Sequence, residues 1–154
     1  MIDVTPRRTG LKALALPAPI EPVTGSVEDA VHDAARAAFR PHLLRRHLRV
    51  RCGDVLIAPT VLFGPFPVAI EVDGHGDAFG EATNRYRQDM LTAAGWTTIR
   101  LRLAGLAPIG ERDVCVPVPW VGPDALAMLM SAVEDAFGSV VPVVRHVQLG
   151  RQRA

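Results

Sequence analysis

The chain of 154 residues has one lysine, two cysteines and few aromatic residues, 5% in all. Each scarcity excludes something. Because Lys12 is the only lysine, arginine supplies every other basic side chain. Cys52 and Cys115 lie far apart and form no C-x-x-C pair, and with five scattered histidines they offer no readable zinc site. Two buried free thiols in a reducing compartment are the simpler reading than a disulfide. The two tryptophans lack the aromatic interleaving of a single-strand stacking platform: Trp96 reads as core, Trp120 as a loop plug or exposed contact.

No apolar run is long enough to span a bilayer, so no membrane partner is expected. Arg7-Arg8 precedes an apolar stretch from Leu11 to Leu16, but Pro17, Pro19 and Pro22 end it too soon for an export signal. A cytoplasmic protein is therefore expected. Ser26, Ser131 and Ser139 lack a G-x-S-x-G setting, and Gly74-His75-Gly76 lacks the spacing of a phosphate loop. With a net charge of +1, any basic surface must be local.

Hydrophobic residues at 49% and charged residues at 21% suit one globular domain. Residues 1–25 read as a Pro-rich arm, with a short strand at Leu11–Leu16. Ser26-Val27-Glu28-Asp29 resembles a capping box, and Val27, Val31, Ala34, Ala35, Ala38 and Phe39 continue at helical spacing until Pro41. His47–Cys52, Asp54–Phe63 and Val68–Asp73 alternate as strands and predict a three-stranded antiparallel meander. After a small-residue loop at Gly74–Gly80 comes a helix over Thr83–Ala94, stopped by Gly95. Strands at Trp96–Leu103 and Val114–Val118, a helix at Pro123–Phe137 and a last strand at Val140–Val147 complete a domain of residues 26–147. Residues 148–154 form a basic tail. The expected class is α/β in the mixed α+β sense, a sheet flanked by helices.

Within this order, Val68–Asp73 carries the chemistry. Glu71 and Asp73 are two residues apart, so on a strand they share one face at roughly 7 Å, close enough to load a common divalent cation. Folding back across Gly64-Pro65-Phe66-Pro67 brings Asp54 towards them. An acid in the first helical turn, such as Glu28, is also favoured by the helix dipole. His75, between two glycines beside the acids, is a candidate base or ligand. Arg85 and Arg87 read as phosphate clamps or as surface pairs with Glu81 and Asp89 at helical spacing. The run Arg40, Arg45, Arg46, Arg49 and Arg51, with His42 and His47, is the best candidate for a DNA-backbone footprint; its bland counterpart is a solvated face.

Several segments together carry a resemblance: Glu28 on the first helix, Asp54 in GDVLIAP, IEVDG at 70–74, RYRQDMLTAAGW at 85–96 and TIRLR at 98–102. The stretch from Ser26 to about Leu106 resembles the PD-(D/E)XK nuclease superfamily, in particular the branch similar to very-short-patch-repair endonucleases. The resemblance implies a restriction-endonuclease-like central mixed sheet flanked by helices, and metal-dependent hydrolysis of DNA phosphodiesters. It implies Asp54 and Glu71 as ligands for Mg²⁺, with Mn²⁺ as a substitute, Glu28 as an auxiliary acid and Arg87 facing the site; the paired acids on the strand add Asp73 to the metal set. Asp73 stands where the wider superfamily has a lysine, and no lysine lies nearby.

The leading expectation is a small Mg²⁺-dependent endonuclease that binds DNA through Arg45, Arg46, Arg49, Arg51 and Arg85. Carboxylate-held Mg²⁺ lowers the pKa of water and clamps phosphate oxygens, and arginine adds bidentate phosphate contacts. The rival is a catalytically inactive nuclease-fold module that binds nucleic acid or a protein partner. A homodimer, the natural route to a double-strand cut, and a subunit docked to a larger complex by its arm and tail are the assembly alternatives.

Overall fold

A computed structural model describes residues 26–45, 48–74 and 78–140. The expected strands at Leu11–Leu16 and Val140–Val147, together with Arg46, His75 and the basic tail, lie wholly or largely outside those residues. Helix α1 spans Val27–Ala38, and the Ser26 hydroxyl accepts the Asp29 amide hydrogen at 3.1 Å, as its capping pattern predicts. A short 3₁₀ turn begins at Pro41. The described residues form seven strands: β1 Leu44–Arg45, β2 Val50–Cys52, β3 Val55–Ile57, β4 Val61–Phe63, β5 Val68–Asp73, β6 Thr97–Arg102 and β7 Val114–Cys115. Helices α2, Ala78–Ala93, and α3, Pro123–Ser139, complete the mixed α/β architecture.

Five strands form one sheet in the order β1-β4-β5-β6-β7, antiparallel from β1 to β5 and parallel from β5 to β7. The parallel β5–β6 pair needs a crossover, and α2 provides it. Helix α2 ends in a Schellman arrangement: Gly95 at φ +86° donates to Thr92 O, and Trp96 donates to Leu91 O. This fixes where the chain leaves the helix and enters β6. The helix starts earlier than its sequence pattern predicts, taking in Gly80.

The expected three-stranded meander is not what forms. Pro59 has no amide hydrogen to give a ladder, and the run Asp54–Phe63 divides around Ala58-Pro59-Thr60 into β3 and β4. Strands β2 and β3 then pair only with each other, as a separate two-stranded sheet closed by the two-residue turn Gly53-Asp54. Gly53 sits there at φ +61°, where a side chain would be strained.

The two faces of the large sheet differ in chemistry. Val61, Phe63, Val68, Ile70, Ile99, Leu101 and Leu103 pack with Val31 and Ala35 of α1 and with Leu129, Val133 and Ala136 of α3. Phe39, Phe63 and Phe137 meet edge to face there, with centroids 5.2–5.4 Å apart. On the opposite face, Leu62 and Ala69 pack with Leu91 of α2 and with Val50, Cys52 and Ile57 of the hairpin. Past Ala69 that face turns polar: β5 continues with Glu71 and Asp73, and β6 presents Thr98, Arg100 and Arg102, all buried. No described helix is long and apolar enough to cross a membrane.

Candidate functional site: a buried acid–arginine cluster

Strand alternation puts Glu71 and Asp73 on the α2 side of β5, and parallel pairing sets Glu71 opposite Arg100 and Asp73 opposite Arg102. Both carboxylates are 3% exposed, and the two guanidinium groups 0% and 1%. Ionic groups so thoroughly removed from water persist only when paired and hydrogen-bonded. Arg100 Nη1 donates to both oxygens of Asp73 at 2.8 Å, and Arg102 Nη1 donates to Asp73 Oδ2 at 2.9 Å. Arg87, reaching down from α2, grips Glu71 with a two-pronged bond, Nε to Oε2 and Nη2 to Oε1, both 2.7 Å.

Further donors of these arginines are engaged as well. Arg100 Nε donates to Gln88 Oε1 at 2.8 Å and its Nη2 to Asn84 O at 3.1 Å, which ties α2 to the sheet. Arg102 donates to the carbonyl of Ala107 and to Glu81 Oε1. Arg87 Nη2 further donates to Ala58 O at 3.1 Å, so the break between β3 and β4 turns a backbone carbonyl towards the site. Three carboxylates thus face three guanidinium groups in one connected network. The bonds to Glu71 push the Arg87 pKa upward against burial. Burial lowers that of Arg102, but hydrogen bonds to Asp73 and Glu81 outweigh it and the net shift is upward.

A polar cleft of about 340 Å³ opens above this network, lined by Glu28, Thr60, Glu71, Asp73, Asn84 and Arg87 among others. The structure therefore unites four of the expected site residues, Glu28, Glu71, Asp73 and Arg87. Glu28 lies in the first turn of α1, exposed, and reaches the rim of the cleft while still favouring the helix dipole. Asp54 is a correction. It is exposed on the β2–β3 turn and does not line the cleft, because the break at Pro59 carries the hairpin out of the main sheet. Arg85 is exposed on α2, 3.9 Å from Glu81 one helical turn away, one of the alternatives its spacing allowed.

The arrangement does not fit a resident divalent cation. All four oxygens of Glu71 and Asp73 already accept hydrogen bonds from guanidinium groups, and no group of three or more ligating side chains is assembled among the described residues. Sequence reasoning passed over Arg100 and Arg102 as site residues. The usable signal was their matched spacing: Glu-x-Asp on one strand answers Arg-x-Arg on the next. The two thiols are free, as expected, but only Cys52 is buried; Cys115 is exposed on the edge strand β7.

No protein-family model, curated protein or solved structure matches this chain.

Proposed function

We propose that this chain is a DNA-binding module of nuclease-like layout whose acidic cluster is neutralised from within, rather than a metal-loaded hydrolase. One observation carries the binding half of this reading. From Ala34 to Gly53 the chain has no acidic residue and six of its 17 basic ones. Arg36, Arg40, Arg45, Arg49 and Arg51 are the described members, and all five are exposed. Arg36, Arg40, Arg49 and Arg51 form no ion pair among the described residues. Unpaired guanidinium groups on a segment free of acids suit phosphate oxygens, while the rest of the chain is net acidic. The occupied carboxylates supply the other half: with Glu71 and Asp73 both held by arginine, the cluster offers no free ligand set.

The test is anisotropy titration of labelled duplex DNA at several salt concentrations, beside plasmid incubation in Mg²⁺ or Mn²⁺. Five phosphate contacts give a slope of about −4.5 in log K against log salt. The double change Arg49→Glu, Arg51→Glu should weaken binding strongly, and no plasmid should be cut. Binding indifferent to salt and to that change would sink the proposal. Cutting by the wild type and not by Glu71→Gln would establish instead the metal-dependent endonuclease that the resemblance implies.

A further inference from the structure

We infer that Arg100 is the built-in cation of this site: its guanidinium occupies the place between Glu71 and Asp73 that a divalent ion would take, and so makes the cluster metal-independent. Arg100 is wholly buried. Its Nη1 lies 2.8 Å from each oxygen of Asp73, and its Nη2 lies 3.8 Å from Glu71 Oε2. One group therefore bridges the two carboxylates that would otherwise share a metal. A divalent ion bound between them would need direct oxygen contacts at roughly 2.1–2.5 Å, closer than a guanidinium leaves open.

The group cannot easily step aside. Its Nε is held by Gln88 and its Nη2 by the Asn84 carbonyl, both on α2, so expelling it would also detach the helix from β6. Charge balance points the same way. Glu71, Asp73 and Glu81 are matched by Arg87, Arg100 and Arg102, so the exposed Glu28 at the rim is the one carboxylate lining the cleft that lies outside this arginine pairing. Arg87, with 29% of its side chain exposed, can swing to solvent, but its departure frees Glu71 alone.

This inference rests on the half of the proposed function in which the cluster is neutralised from within; its test contains no nucleic acid, so the DNA-binding half can fail while the inference stands, and saturable Mn²⁺ binding by the wild type would leave DNA binding untouched. Mn²⁺ is titrated into the full chain and the free-ion signal followed by electron paramagnetic resonance. The wild type should show no saturable binding. Arg100→Gln, which removes the charge and shortens the group, should acquire one saturable Mn²⁺ site, and adding Asp73→Asn should abolish it. Saturable binding by the wild type that Glu71→Gln removes would overturn the inference, as would a folded Arg100→Gln protein that binds no Mn²⁺. An Arg100→Gln protein that folds only when Mn²⁺ is added supports it equally. If that variant is unfolded in either buffer, the wild-type titration alone decides.

Discussion

Replacing Asp73 by asparagine tests the site through the sign of its effect on stability. In a cluster built to receive a metal, unloaded carboxylates repel one another, so neutralising one should leave the metal-free protein unchanged or more stable. Here the opposite is expected. Asp73 is the shared partner of Arg100 and Arg102, and losing its charge leaves two buried guanidinium groups under-compensated. Breaking a buried pair in this way costs about 3–5 kcal/mol. Glu71→Gln should cost less, about 1.5–3 kcal/mol for hydrogen bonds to a charged group. Its partner Arg87 retains the Ala58 carbonyl and can turn to water. The assay is urea denaturation at neutral pH in the presence of a chelator. With a slope of about 2 kcal/mol per M, Asp73→Asn should lower the midpoint by roughly 2 M and Glu71→Gln by about 1 M. A midpoint that rises for either variant at unchanged slope would refute the idea that arginine closes this site.

Two further outcomes are expected. Titration of native protein with a thiol reagent should label Cys115 first and Cys52 only on unfolding, since Cys115 is exposed while packing covers Cys52; two equally fast thiols would refute the packing of the β2–β3 hairpin on the sheet. Asp54→Asn should shift the urea midpoint by no more than about 0.5 kcal/mol in stability, as befits an exposed turn residue outside the cleft.

The layers of the fold were legible in sequence because alternation and capping are local. Ile99, Leu101 and Leu103 face the core as their spacing predicts, and Ser26 and Gly95 mark helix ends by backbone chemistry each residue carries itself. The sheet's connectivity was less so. Pro59 in the middle of an apolar run is a breaker, but the fate of the two halves depends on what packs beside them, and no local pattern states that. For the site, Glu71 and Asp73 stood out because paired acids at the end of a strand are hard to explain by stability alone. Arg100 and Arg102 did not, because arginine alternating with isoleucine and leucine also describes a half-solvated strand. Only the layer contributed by α2 buries them, and that requires the parallel pairing to be known.

The matched charges on β5 and β6 also bear on how the chain finds its alignment. Apolar alternation opposes a slip of one residue between neighbouring strands, because every side chain would change face. It does not oppose a slip of two, which returns aliphatic side chains to the same core. Sliding β6 by two positions would set Glu71 against Thr98 or Arg102 in place of Arg100, and would leave Asp73 facing Arg100 or no arginine at all. At least one buried charge would then lose its counterpart. The polar ladder so distinguishes alignments that greasy packing treats as equal, and it does so at a strand pair that α2, rather than a tight turn, connects.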